Sequence, residues 1–174
     1  KSGKTLKLGF NGVGSDDYFA VSVIMHAMEI PYEFVTGYEG AKESIMGILR
    51  GEVDGTGNTI TTVLPQIKAG DFKALVKYGA ESGLVPGNVQ DIVNLVEGDK
   101  KALVRAISAI FTLDRSIVAP PGVPEDRLGY LRSIFDKALQ DTELHKEAEK
   151  AKRPLAPLAG KDLIPKLQDA LKAG

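Results

Sequence analysis

Leu6-Lys7-Leu8-Gly9-Phe10-Asn11-Gly12-Val13-Gly14-Ser15-Asp16 is the stretch that decides the fold. Leu6, Leu8 and Phe10 alternate with Lys7 and Gly9, the two-residue period of a strand. Glycines then punctuate a short loop, and from Tyr18 onward Phe19, Val23 and Ala27 recur every four residues, so a helix follows and ends at Pro31. Strand, glycine-rich loop and helix make the first unit.

The same unit recurs twice. Residues 32–35 read as a strand, 36–40 as a turn and 41–50 as a helix closed by Gly51. Val53 opens a third buried segment, followed by a loop at 55–58, a helix over 60–69 with Gly70 as its C-cap, and a strand over 72–78. Strands alternating with helices pair in parallel, so the class is α/β with a parallel sheet. Beyond it, the pattern predicts a loop over 79–87, a short helix over 88–97 ended by Gly98, and an amphipathic helix over 100–113. A short strand at Ile117 and Val118 comes next, stopped by Pro120, Pro121 and Gly122. A long helical region from Pro124 to about residue 152 carries a break near Asp141, and a linker over 154–160 leads to a terminal amphipathic helix over 161–173.

Composition narrows the function. The 174 residues are 43% hydrophobic and 26% charged, which is globular and not disordered. No apolar run approaches the roughly 20 residues of a membrane span. A net charge of −1 with few aromatic residues gives no reason to bind nucleic acid. Without cysteine there is no disulfide framework, thiolate metal site or cysteine catalysis. Residues 1–7 are polar and strand-like, as in a mature exported protein that has shed its leader.

Ligand chemistry falls on the loops. In an open parallel sheet, ligands bind beyond the carboxyl ends of the strands, where all three strand-to-helix loops lie. At the first, Gly12 and Gly14 expose backbone N–H groups in front of a helix N-terminus, which suits a carboxylate or phosphate. Ser15 and Asp16 admit two readings there, contact with the ligand or plain helix capping. A P-loop is excluded because no Lys followed by Ser or Thr comes after Gly14, and the glycine gaps are wrong for a dinucleotide fingerprint. The second loop centres on Tyr38. In the third, Gly55, Thr56 and Asn58 supply neutral hydrogen-bonding groups, with turn chemistry as the equal alternative. No catalytic residue, metal site or cofactor is assigned: His26 and His145 stand on separate helices without a nucleophile or ligand spacing nearby, and Glu52 and Asp54 read as solvated charge.

Gly37-Tyr38-Glu39-Gly40, followed by Arg50-Gly51-Glu52-Val53-Asp54-Gly55, forms a pattern with Gly12-Val13-Gly14-Ser15 before it and Ala119-Pro120-Pro121-Gly122-Val123-Pro124 after it. In order and spacing it resembles the Bug family, the extracytoplasmic solute-binding receptors of tripartite tricarboxylate transporters. The resemblance implies a periplasmic-binding-protein-like (type II) fold. Residues 1–114 would be the second-lobe ligand-binding domain. Residues 115–174 would be a crossover strand and C-terminal helices returning to a first lobe whose N-terminal part is absent, with closure about residues 80–83 or 114–119. It further implies a periplasmic protein that captures a small carboxylate, with Gly12, Gly14, Ser15, Asp16, Tyr38, Gly55, Thr56 and Asn58 at the ligand, and passes it to a membrane permease. Asp17 and Tyr18 depart from the family's small polar pattern. An isolated lobe would expose an apolar face and favour dimers or segment exchange. The alternatives are an α/β enzyme or a ligand-sensing module using the same loops.

Overall fold

A computed structural model of the chain describes residues 3–79, 83–112, 116–151, 155 and 157–172. Its centre is a parallel pair, β1 (Leu6–Phe10) and β2 (Tyr32–Thr36), in register from Leu6 opposite Tyr32 to Phe10 opposite Thr36. On the other side of β1, residues 53–55 run parallel to it: the Asp54 amide donates to the Lys7 carbonyl at 2.7 Å, and the Gly9 amide to the Gly55 carbonyl at 2.9 Å. The spatial order is therefore second, first, third. The chain steps to one side of β1 and then to the other.

That reversal places the connecting helices on opposite faces. Helix α1 (Asp16–Ala27) joins β1 to β2 and packs Tyr18, Val21 and Met25 on the even-numbered face: Leu6, Leu8, Phe10, Tyr32 and Phe34. Rings stack edge-on there, with Phe10 and Phe34 centroids 4.9 Å apart and Tyr18 and Phe34 4.5 Å apart. Helix α2 (Ala41–Leu49) covers the other face through Ile45, next to Val53 and Gly9. A parallel sheet clothed on both sides leaves few backbone groups to water.

Helix α1 buries a second stripe. Ala20, Ile24 and Ala27 meet Ile92, Val96, Val104 and Ile107, the last two from α4 (Gly98–Thr112). Being apolar on two sides makes α1 a wholly buried kind of helix. It ends at Ala27 and not at Pro31, because Glu29 turns the chain at φ 54° and the Met28 amide closes on the Ile24 carbonyl. Helix α3 (Ile60–Ala69) stops at left-handed Gly70 as the sequence leads one to expect.

The next segment corrects several expectations. Of the strand expected over 72–78, only β3 (Val76–Lys77) is laddered, in parallel with β4 (Gln90–Asp91). The helix expected over 88–97 is instead β4 followed by one 3-10 turn, Ile92–Asn94. Asp91 causes this, since its carboxylate accepts from the Val93 amide at 2.9 Å and closes a turn too tight to propagate an α-helix. Gly98 accordingly opens α4 and ends nothing before it. Ile117 and Val118 form no ladder among the described residues and stand 75% and 82% exposed.

Three helices finish the chain: α5 (Glu125–Leu139), α6 (Thr142–Lys150) and α7 (Gly160–Lys172). The break between α5 and α6 falls at Asp141, which caps α6 by accepting from the Leu144 amide at 2.9 Å. Helix α7 lies along α4, whereas α5 and α6 bury no residue. Ala80, Asp114 and Arg115, in the two expected hinge segments, and Pro154 and Ala156 of the expected linker lie outside the described residues. No described helix is long and apolar enough to cross a membrane.

Candidate functional site

The crevice between β1 and residues 53–55 is the point where the connections leave the sheet in opposite directions, the favoured place for a ligand in an open parallel sheet. At the carboxyl end of that crevice a cleft of ≈ 80 Å³ opens. Phe10 and Asn11 come from the end of β1, Asp17 from the first turn of α1, and Ala41 and Ser44 from the first turn of α2. Thr56, Gly57 and Asn58 close it from the third loop.

Hydrogen bonds fix this lining. Thr56 Oγ1 donates to the Gly9 carbonyl at 2.8 Å, tying the third loop to the central strand, and Asn58 Nδ2 donates to Thr56 Oγ1 at 3.3 Å. Ser44, 2% exposed, donates to the Ala41 carbonyl at 3.0 Å. Both hydroxyls thus spend their hydrogen on backbone and turn lone pairs outward. Remaining donors are the side-chain amides of Asn11 and Asn58 and the first-turn amides of α2, whose N-cap Gly40 has no side chain to satisfy them. Gly57 lets the loop come this close, because a Cβ there would lie 2.4 Å from Val21 Cγ2. Among the described lining residues Asp17 is the charged one. Asp17, Thr56, Gly57 and Asn58 also edge a groove of ≈ 2220 Å³ bounded by α3, residues 116–123, α5 and α7, so the cleft is a side pocket of that groove.

The other expected ligand residues lie elsewhere. Gly12 and Gly14 shape the loop before α1, Gly14 at φ 89°, with the Gly12 carbonyl accepting from the Ser15 amide at 3.3 Å. Ser15 caps α1, its Oγ accepting from the Tyr18 amide at 3.3 Å, and Asp16 sits on the rim of the large groove. Gly55 is committed to its bridge with Leu8. The Tyr38 ring lies on the α2 face of the sheet, where a Cβ on Gly9 would approach it to 2.8 Å and one on Gly47 to 2.6 Å. Only Thr56 and Asn58 of the expected set line the cleft. Asn11, Asp17, Ala41, Ser44 and Gly57 complete it. The signal for them was topological: the first residue past a central strand, and the first turns of two helices flanking it on opposite faces. Tyr18, whose bulk stood out in the sequence, turns its ring into the core beside Phe10 and Phe34.

Ionised groups gather away from the cleft. Arg50 Nε donates to Glu52 Oε1 at 2.6 Å and holds that carboxyl below its ordinary range; Tyr38 donates to Glu52 Oε2 at 3.2 Å. Burial, then the Glu52 bond, pushes the Tyr38 hydroxyl up. At the amino end of the strands, Asp54 accepts from Lys4 Nζ at 2.6 Å and from the Lys7 amide at 2.9 Å, and these bonds lower its pKa. Glu52 and Asp54 therefore serve as partnered struts on either side of the third segment. His26 is exposed on α1, and His145 Nε2 lies 2.7 Å from the Leu139 carbonyl. Among the described residues no group of three or more His, Asp or Glu side chains is placed to hold a metal.

Compared with known protein families and with curated proteins, the chain matches none.

Proposed function

We propose that this chain is an extracytoplasmic solute-binding receptor that captures a small carboxylate and delivers it to a membrane permease of the tripartite tricarboxylate type. The observation that carries the reading is the cleft at the β1 crevice, built from three strand-to-helix loops and furnished with amide donors instead of a nucleophile and base. At about 30 Å³ per water the cleft has room for two or three waters, the size of one carboxylate group. One carboxylate is seated on Asn11, Asn58 and the α2 amides, and the rest of the ligand extends into the groove. The motif order Gly12 to Ser15, Gly37 to Gly40 and Arg50 to Gly55 supports the same reading.

A thermal-shift titration against mono-, di- and tricarboxylates, with amino acids and nicotinamide nucleotides as controls, tests it. A ligand at about one hundred times its dissociation constant adds about 2.7 kcal/mol, or roughly 5 to 10 °C for a chain of this size. Asn58→Ala is expected to weaken the responding carboxylate about tenfold by removing a donor. No saturable shift with any carboxylate, on folded protein free of carried-over ligand, refutes the proposal.

A further inference from the structure

The molecule exposes far more surface than its mass requires. A compact monomer of 18.6 kDa presents about 8,200 Å², whereas this chain presents 11998 Å², roughly 3,800 Å² more. The excess includes the groove beside α5. Toward it α5 turns Leu128, Leu131, Phe135 and Leu139, and Leu131 and Phe135 remain 53% and 41% exposed. A stable interface of standard size needs only about 800 Å² from each partner, so one partner across this groove is amply supplied.

The shape and charge of the groove name its occupant. An α-helix of 15 residues is about 22 Å long and 10–12 Å across, a volume of roughly 1,800–2,500 Å³, and the groove measures ≈ 2220 Å³. It is the size of α5 itself. Helix α5 is acidic in its first turn, at Glu125 and Asp126, and basic in its last, at Lys137. Leu131 stands midway between Glu125 and Lys137. An antiparallel pairing of two α5 helices about a two-fold axis at Leu131 therefore sets Leu131 against its own copy and Leu128 against Phe135. The same pairing brings Glu125 of each chain to Lys137 of the other.

We propose that α5 is a homodimerisation helix, seated antiparallel in the groove of a second copy of this chain with Leu131 on the two-fold axis. Such an isologous contact closes on itself and covers both apolar stripes at once. It is independent of what the cleft binds.

Sedimentation velocity of the full chain across a wide concentration range tests this. A monomer–dimer equilibrium is expected, and Leu131→Glu, at an exposed position, is expected to weaken it by about tenfold or more as a central interface residue. Lys137→Glu alone weakens association, and adding Glu125→Lys restores it, since the exchanged charges meet again. Circular dichroism checks that each variant is folded. A chain that stays monomeric throughout overturns the proposal, as does a dimer indifferent to Leu131→Glu, or one in which the double exchange fails to restore association. Should Leu131→Glu not fold, the charge exchange decides alone.

Discussion

The two ends of this chain treat apolar residues in opposite ways. Up to α4, Phe10, Ala20, Ile24, Ile92, Val104 and Ile107 are 3% exposed or less, because each helix has a sheet face or another helix to lie on. In α5, Tyr130, Leu131, Ile134 and Phe135 are each more than 40% exposed, although their helical spacing is as regular as that of α2 or α4. A periodic apolar stripe thus reports which side of a helix seeks cover, and nothing about whether the same chain supplies it. Caps and end charges set the limits of the late helices: Asp141 caps α6, and Glu125 and Asp126 sit at the positive end of α5.

Truncating one side chain in each region separates them most sharply. Phe10→Ala empties the junction of the Tyr18 and Phe34 rings and is expected to destabilise the chain by about 3–5 kcal/mol. Tyr130→Ala, at a 65% exposed position, is expected to change stability by no more than about 0.5 kcal/mol. Urea unfolding of both variants checks this, and equal losses would break the contrast.

Adding a methyl group reverses the sign between the regions. A Cβ on Gly57 would stand 2.4 Å from Val21 Cγ2, so Gly57→Ala must push the third loop off α1, at an expected loss of about 1–3 kcal/mol. The same change deforms the cleft wall and should lower carboxylate affinity. Gly129 lies inside α5 with nothing within 4 Å of its would-be Cβ. Gly129→Ala is expected to stabilise by about 0.5–1 kcal/mol through helix propensity alone. Thermal midpoints of the two variants moving in the same direction would contradict this reading of the packing.

How much of this was legible in the sequence follows the same divide. The first 70 residues read well, because the two-residue period of β1 gives way to a helical period across glycines that the backbone does need, Gly14 at φ 89° and Gly70 at φ 85°. Asp141 was legible as a break since a cap acts through the residues beside it. Residues 88–97 were not, because β4 exists only through Val76 and Lys77, which lie a dozen residues earlier, and Asp91 converts the rest into a single turn. Thr56 and Asn58 were visible as polar residues in a loop past a strand. Ser44 and Asp17 were hidden inside helices, and only the second-first-third strand order shows that their first turns converge. Tyr38 sat between glycines in sequence, yet the glycines that make room for its ring are Gly9 and Gly47, on other elements.

The smallest effect concerns the strut that ties the third segment to β1. Lys4 Nζ and the Lys7 amide hold Asp54 below its ordinary value of 3.8. A carboxyl whose folded pKa is depressed lends stability above the unfolded value, and loses it as pH falls through the folded one. Below pH 3.8 the urea midpoint of the native chain should therefore drop, and Glu52, held down by Arg50 from 4.5, adds to the slope at its upper end. Asp54→Asn is expected to lower the midpoint at neutral pH and to flatten the acid slope, because the neutral amide no longer gains from Lys4. Both partners face solvent, so salt should narrow the difference between variant and native chain. Tyr130→Ala, remote from this ion pair, should leave the acid slope unchanged. An Asp54→Asn chain that kept the native acid slope would place the acid sensitivity outside the α/β half, and the strut would be a geometric tie with no electrostatic share.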